Sequence, residues 1–455
     1  LGQTGAETLV TLGRFYGRVK HMQPRTGVKR VVVSSIKEYL PPVLRVLYGL
    51  LKEKKEGDGA RPAAGDHAFQ ELLRRYAGAA APGPRPEPGD AAILLMSGGT
   101  TGTPKGAIGT HHAMVMVGLQ LRAWLHAILD EGNDKILLPL PLFHVYGNVT
   151  AQGLAFIGHN PLVLVPNPRD LDDIVNTIDR VRPSVFLCVP AIFSALLEHP
   201  KVVAGKSEFR SIKGCFSGAS PLMADTKRRF EELTGGTIVE GYSLTEGMMA
   251  TIVNPVGGVQ KIGSIGIPTT DVEVRIVDAE TGERELGFGE VGEIIIRAPQ
   301  LMKGYWGNEL ETRAVLRPHG PGGPWLHTGD LGTMDEDGYI VVVDRKKDLI
   351  KVSGLQVWPR EVEEVLTAHP AVAEAGVAGI PHERKGEVVK AWVVLRPGAT
   401  ATVEELRAYC KQQLAPFKVP AEIEFRETLP RSIMGKVLRR ELRAEAAAQR
   451  VAAGA

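Results

Sequence analysis

The stretch AAILLMSGGTTGTPKG, residues 91–106, decides the reading of this chain. AAILLM reads as a short buried strand. MSGGTTGTPKG (96–106) then sets four glycines, four hydroxyl-bearing residues and one lysine in eleven positions. Glycines let backbone N–H groups approach phosphate oxygens, while hydroxyls and Lys105 add donors and charge. A polyphosphate is the ligand that uses all three features. The common loop G-x-x-x-x-G-K-[ST] does not fit, because Lys105 lies between Pro104 and Gly106. The alternative is an ordinary Gly/Thr turn between strand and helix, but plain turns rarely combine so many donors with a lysine.

Downstream to about residue 270, short apolar runs alternate with amphipathic ones. DKILLPLPLF (134–143), NPLVLVP (160–166) and SVFLCVP (184–190) read as strands, and LDDIVNTIDRVRP (171–183) as a helix. Such alternation predicts parallel βαβ layers. From about 271 the texture changes to VEVRIVD, GEIIIRAP and GYIVVVDR with Gly-rich connections, a β-rich subdomain expected over about 271–346. A small α+β unit follows Lys347. PREVEEVLTAHP (359–370) and TVEELRAYCKQQL (402–414) are its helices, the second opened by a Thr402/Glu405 capping box. VVKAWVVLRP (388–397) is its strand, and the tail EAAAQRVAAGA (445–455) is expected to fray. Upstream, APGPRPEPGD (81–90) is a linker and VKRVVVSS (28–35) a buried parallel strand.

At 455 residues the chain holds about three average domains. Its 54 basic and 52 acidic residues nearly cancel, which argues against a nucleic-acid partner. Cys188, Cys215 and Cys410 are odd in number and widely spaced, unlike a disulfide framework or a zinc site. They fit a reducing compartment, so a cytoplasmic location is expected. No apolar run of roughly eighteen residues occurs, and no stretch reads as a signal peptide. Leu1 opens the chain without a Met, so a preceding segment is expected. KEYLPPVLRVLYGLLKEKKEG (37–57) places Leu44, Leu47, Tyr48 and Leu51 on one helical face. One reading is a peripheral helix at the inner membrane face. The other is a helix docked on the domain with a solvated charged end, which Glu38, Glu53 and Glu56 favour.

Further motifs carry chemistry. GCFSGASPL (214–222) ends a strand in small residues that can lie against a flat ring. EGYSLTEGM (240–248) is expected to place Tyr242, Thr245 and Glu246 on one loop after a strand. An aromatic stacks on a base, a hydroxyl reaches phosphate, and a carboxylate holds Mg²⁺. Taken alone, Glu246 reads better as a helix N-terminal charge. WLHTGDLG (325–332) offers Asp330 as an acceptor for ribose hydroxyls, and VDRKKDLIKVSG (343–354) offers Arg345 beside a lysine cluster that otherwise reads as a solvated basic turn.

In this order, with PLFHVYG (141–147), GEIIIRAPQLMKGYW (292–306) and PRSIMGKVLRREL (430–442), these motifs resemble the adenylate-forming, AMP-binding superfamily. The resemblance covers essentially the whole chain. VKRVVVSSIKEYLPP and LVPNPRD (164–170) are most similar to bacterial long-chain fatty-acid–CoA ligases. It implies an adenylating domain over 1–346 and a small mobile domain over 347–455. It implies two reactions: a fatty acid and ATP form acyl-adenylate, and coenzyme A then displaces AMP. By that resemblance Thr100, Thr101, Thr103 and Lys105 hold the terminal phosphates, Glu246 binds Mg²⁺, and Thr245 meets the α-phosphate. Tyr242 stacks on adenine beside Gly218 and Ala219, Asp330 and Arg345 fix the ribose, and Lys436 bridges carboxylate and α-phosphate. Lys347 is the pivot that brings Lys351, Ser353, Gly354 and Gln356 to coenzyme A. His144 lines the acyl pocket, although a lone histidine after an apolar strand is otherwise a satisfied core residue. Gly147 and Gly153 are expected to leave room for a deep apolar tunnel. Two alternatives remain: an acyl-AMP ligase that passes its product to a carrier protein, and a non-catalytic acyl or nucleotide sensor. The uninterrupted IKVSGLQVWP run counts against the first, and retention of Glu246 and Lys436 against the second.

Overall fold

The computed structural model describes residues 1–97, 104–431 and 436–452. Two compact units form, 1–87 and 88–455, and the divide falls inside the Pro/Gly linker.

In the first unit Thr8–Leu12, Arg30–Ser34 and His67–Ala68 make a parallel sheet. Val31, Val32 and Val33 of its central strand are buried, as a strand covered on both faces requires. The helix Pro42–Leu51 departs from the docked reading. Leu44, Leu47 and Leu51 are 51%, 45% and 71% exposed, and no residue of the helix is buried. A polar tether holds it instead: the Tyr48 phenol donates to Glu56 and Asp58 at 3.1 and 3.2 Å.

The second unit is built on a seven-stranded sheet. Leu162–Leu164, Ile136–Leu138, Val185–Cys188, Gly214–Ser217 and Thr237–Ser243 run parallel, and Ala250–Val253 and Ile267–Pro268 close the far edge antiparallel. Residues along these strands alternate between two cores. Ile136, Leu138, Val185, Leu187 and Val239 pack on one face with Leu121 and Leu125. Leu137, Phe186, Cys188, Cys215 and Ile238 pack on the other with Ile174, Phe193 and Phe230. Burial on both faces explains why these strands read as continuous apolar runs.

Ala91–Ser97 pairs antiparallel with Lys105–Thr110. The glycine-rich segment is therefore preceded by one strand and followed by another, not by a helix. The helix His111–Leu125 starts after the second strand, capped by Thr110. Next comes the expected β-rich subdomain: Glu273–Val277, Gly292–Arg297, Leu316–Pro318, Pro324–Met334 and Ile340–Arg345 form one antiparallel sheet. The short turn Lys346–Asp348 leads into a smaller C-terminal α+β domain. Its five-stranded sheet centres on Gly386–Leu395 and is flanked by the helices Pro359–Ala368 and Val403–Gln413. The Thr402/Glu405 capping box forms as expected. As far as it is described, the tail corrects expectation: Arg439–Ala452 is helical, and Leu442 and Ala446 are buried beside Trp392, while 453–455 lie outside the described residues. Low complexity hid an apolar stripe at helical spacing that the small sheet covers.

Candidate active site

In a doubly wound sheet, ligands bind beyond the carboxyl ends of parallel strands. Two candidate loops leave that edge here. Gly218 and Ala219 follow Gly214–Ser217, and Ala219 holds φ +72°, a backbone position costly for a side-chain-bearing residue. A Cβ on Gly218 would lie 3.5 Å from both Gly241 O and the Tyr146 ring, in ordinary contact, so the position lies directly against that backbone and that ring. Tyr146 is itself pinned, its phenol donating to Phe216 O at 2.9 Å. Tyr242 lies in the strand Thr237–Ser243, not on a loop, because it still pairs with Ile252. Thr245 and Glu246 open the short turn Thr245–Gly247 beyond it. Met248, just after, is a second non-glycine at positive φ.

Asp330 gathers this edge. It is buried, and its Oδ2 accepts the Tyr242 phenol at 2.5 Å while Oδ1 pairs with Arg345 Nε at 3.0 Å. Asp330 and Arg345 are register partners on adjacent strands, so the sheet itself sets their spacing. Burial, then the Asp330 charge, pushes the Tyr242 phenol well up, so it stays a donor. Asp330 likewise raises Arg345.

A second polar group lies at the strand Lys105–Thr110. Lys105 Nζ pairs with Glu311 at 2.7 Å and sits 5.3 Å from the centre of the Tyr305 ring. The Tyr305 phenol donates to Glu246 Oε1 at 2.7 Å. Thr100, Thr101 and Thr103 lie outside the described residues.

His144 precedes a π-helical stretch, Tyr146–Ala151, a backbone form common at functional sites. Its Nδ1 accepts the Tyr146 N–H at 3.3 Å, and burial lowers its pKa, so the ring is neutral near pH 7 with the proton on Nε2. Gly147 and Gly153 do not provide the expected room for a tunnel. A Cβ on Gly147 would strike Pro141 O at 2.6 Å, and one on Gly153 would lie 3.4 Å from the backbone of Gly118. These glycines admit close backbone approach and leave no opening.

Lys436 is drawn to the Asp330 group. Its surface is open to solvent, yet partial burial and then the Arg345 guanidinium push its pKa down to about 8, opposed by Asp330. Lys347 lies in the turn Lys346–Asp348. Lys351, Ser353, Gly354 and Gln356 are exposed on the hairpin of Ile350–Val352 and Leu355–Val357, with Ser353 at φ +51°. The hydrogen-bond partners of this hairpin, Lys385 and Glu387, lie further along the C-terminal part of the chain. Sequence reasoning passed over Tyr146, Tyr305 and Glu311. The first two stand inside quoted motifs and were legible as aromatics, whereas Glu311 carries no signal of its own.

The sequence model described as AMP-binding enzyme matches residues 3–306, and that of the AMP-binding enzyme C-terminal domain matches 361–436. The chain belongs to the AMP-binding enzyme family. Among its relatives, a protein named long-chain-fatty-acid–CoA ligase from Bacillus subtilis is 39% identical over 95% of this chain and 76% of its own length. One of the same name from Escherichia coli O157:H7 is 34% identical over 98% of this chain and 78% of its own. Among solved structures, an anthranilate CoA ligase in complex with anthranoyl-AMP superposes with TM-score 0.80 at 26% identity, covering 99% of this chain and 80% of the other. ATP-bound MatB from Rhodopseudomonas palustris superposes at 0.77 with 29% identity, over 94% and 81%. The family thus includes enzymes with an acyl-adenylate or ATP bound on this fold.

Proposed function

We infer that the chain is an AMP-forming long-chain fatty-acid–CoA ligase. The fatty carboxylate attacks the α-phosphorus of ATP and the bond to pyrophosphate breaks. The coenzyme A thiol then attacks the acyl carbon and gives up its proton, and AMP leaves. The convergence of Tyr242, Asp330, Arg345 and Lys436 carries this reading, supported by family membership and by two relatives named for the activity.

Each step brings groups together that water keeps apart, so positioning and charge neutralisation supply most of the catalysis. Asp330 accepts the ribose hydroxyls, with Arg345 and the Tyr242 phenol holding its carboxylate in place. The Tyr242 ring offers adenine a face next to Gly218 and Ala219. Lys436 donates to the carboxylate and α-phosphate as negative charge gathers, with Thr245 beside it. Thr100, Thr101, Thr103 and Lys105 take the outer phosphates. Neutral His144 borders the acyl group. Glu246 keeps Oε2 for a cation while Tyr305 occupies Oε1, a donor set that fits Mg²⁺, which takes one or two carboxylates plus phosphate oxygens. Bound there, Mg²⁺ would offset phosphate charge. Residues 1–346 form the adenylating part. Residues 347–455 turn about Lys347 to present Lys351, Ser353, Gly354 and Gln356 to coenzyme A, because Lys436 and the incoming thiol cannot occupy one space.

The decisive experiment measures pyrophosphate release across an acid panel, with and without coenzyme A. Palmitate should outpace acetate and benzoate and yield a thioester. Faster turnover of benzoate ends the long-chain reading, and pyrophosphate without thioester points to an acyl-AMP ligase. Among the described residues no helix is long and apolar enough to cross a membrane. The exposed apolar helix Pro42–Leu51 supports peripheral contact with the inner membrane face of the cytoplasm. Co-sedimentation with anionic vesicles should then be lost in Leu47→Glu.

A further inference from the structure

Arg439, three residues past Lys436, meets three carboxylates. Nε and Nη2 grip Glu363 at 2.9 and 2.6 Å, and Nη1 donates to Asp344 at 3.1 Å and to Asp348 at 3.4 Å. These are not surface pairs. The Asp344 side chain is 2% exposed and that of Arg439 18%. Burial opposes the Arg439 charge, but Glu363, Asp344 and Asp348 hold its pKa above the ordinary value. Asp344 has a second small-domain partner. Its Oδ2 accepts the backbone N–H of Arg360 at 2.8 Å, in the first turn of the helix Pro359–Ala368. Arg360 Nη1 in turn donates to Val342 O at 2.8 Å.

The three carboxylates differ in one respect. Asp348 and Glu363 follow Lys347 along the chain, whereas Asp344 precedes it on the strand Ile340–Arg345. A rotation about Lys347 carries Asp348 and Glu363 along with Arg439. It strips Asp344 of both Arg439 and the Arg360 N–H. The guanidinium never loses all its partners, so release need not strand a buried cation. Asp344 retains the Arg345 N–H at 2.7 Å throughout.

We propose that Asp344 is a positioning residue for the adenylation step: its carboxylate latches Arg439 and the helix Pro359–Ala368, and so holds Lys436 beside Asp330 and Arg345 until the small domain turns. This rests on the reading of Lys436 as the adenylation lysine and Lys347 as the pivot.

The test uses Asp344→Asn in the full chain and follows each half-reaction separately. Pyrophosphate formation from palmitate and ATP should fall about tenfold or more, as expected for loss of a charged hydrogen bond in a buried site. Acyl-CoA formation from supplied palmitoyl-adenylate should stay within about twofold of the parent, since the latch is already open in that step. A merely structural role would lower both. Arg439→Lys keeps the charge but loses the fork, and should give the same split if Asp344→Asn folds poorly. Equal loss of both half-reactions in well-folded variants, or no loss in either, overturns the latch. Lys347→Pro separates the two readings. If Lys347→Pro slows only thioester formation while Asp344→Asn splits nothing, the latch fails and the pivot stands. If Asp344→Asn splits the halves and Lys347→Pro does not, the latch stands and the pivot lies elsewhere.

Discussion

The proposed nucleotide side and the proposed coenzyme A side of this protein are separated by one short turn, Lys346–Asp348, and are built on opposite principles. On the first, Asp330 and Arg345 are register partners in a sheet, Asp330 is buried, and Tyr242 and Arg345 bind its two oxygens. On the second, Lys351, Ser353, Gly354 and Gln356 stand exposed on a two-stranded hairpin. A nucleotide common to both half-reactions is best held by a rigid cradle, because preorganised groups do not reorganise as charge develops. A thiol that must arrive late is best met by an element that can be carried in, and low burial would favour the proposed movement.

Four predictions break or sharpen this contrast. Lys436→Ala should cost adenylation most. A charge pair at about 4 Å contributes about 4 kcal/mol at an effective dielectric near 20, so its loss in the transition state slows pyrophosphate formation on the order of a thousandfold. Supplied acyl-adenylate should still become acyl-CoA. Loss of both activities would mean that Lys436 serves both sides.

Lys347→Pro should do the reverse. Proline fixes φ near −65° and removes an N–H, so thioester formation should slow about tenfold or more while adenylation persists. Single-turnover measurement of each half-reaction decides it.

A pH profile reads the same lysine without mutation. The Lys436 pKa lies near 8, below its ordinary value, so the ammonium dominates below pH 8 and is lost as pH rises through it. For adenylation, kcat/KM for ATP, which reports the free enzyme, should be flat to about pH 8 and then fall about tenfold per unit. A plateau extending past pH 10 would remove Lys436 from the chemistry.

The smallest effect belongs to Glu311. It occupies the Lys105 ammonium at 2.7 Å, where phosphate is expected, and the pair is partly exposed. Glu311→Gln should release Lys105 and lower KM for ATP by a factor of about two to five, the range of such pairs. An increase in KM would instead make Glu311 a positioner of the lysine.

Much of this was legible from residue order. The strand runs at 136–138, 185–188 and 30–34 are near-continuous apolar stretches because they are buried on both faces, and that signal is local. Helix starts such as Thr402 with Glu405 announce themselves by capping chemistry. Misreadings came where neighbours in space decide the outcome. The tail helix depends on Trp392 and the small sheet to cover Leu442 and Ala446. Gly147 and Gly153 looked like empty space, yet backbone from Pro141 and Gly118 fills it. The helix Pro42–Leu51 has an apolar face that its own unit leaves exposed.

By itself, the sequence determined the fold class, the family and the residue types at the site. Glycine-rich loops, strand runs and a lysine in a fixed order are properties of local chemistry, and they survive being read one after another. Only the tertiary structure decided which of those residues act together. Tyr242 and Asp330 are far apart along the chain yet meet at 2.5 Å, and Arg439 reaches back to Asp344 across the turn Lys346–Asp348 at 3.1 Å. Such pairings arise because a buried carboxylate must find donors wherever the packed sheets bring them, and no local pattern encodes which donors those will be.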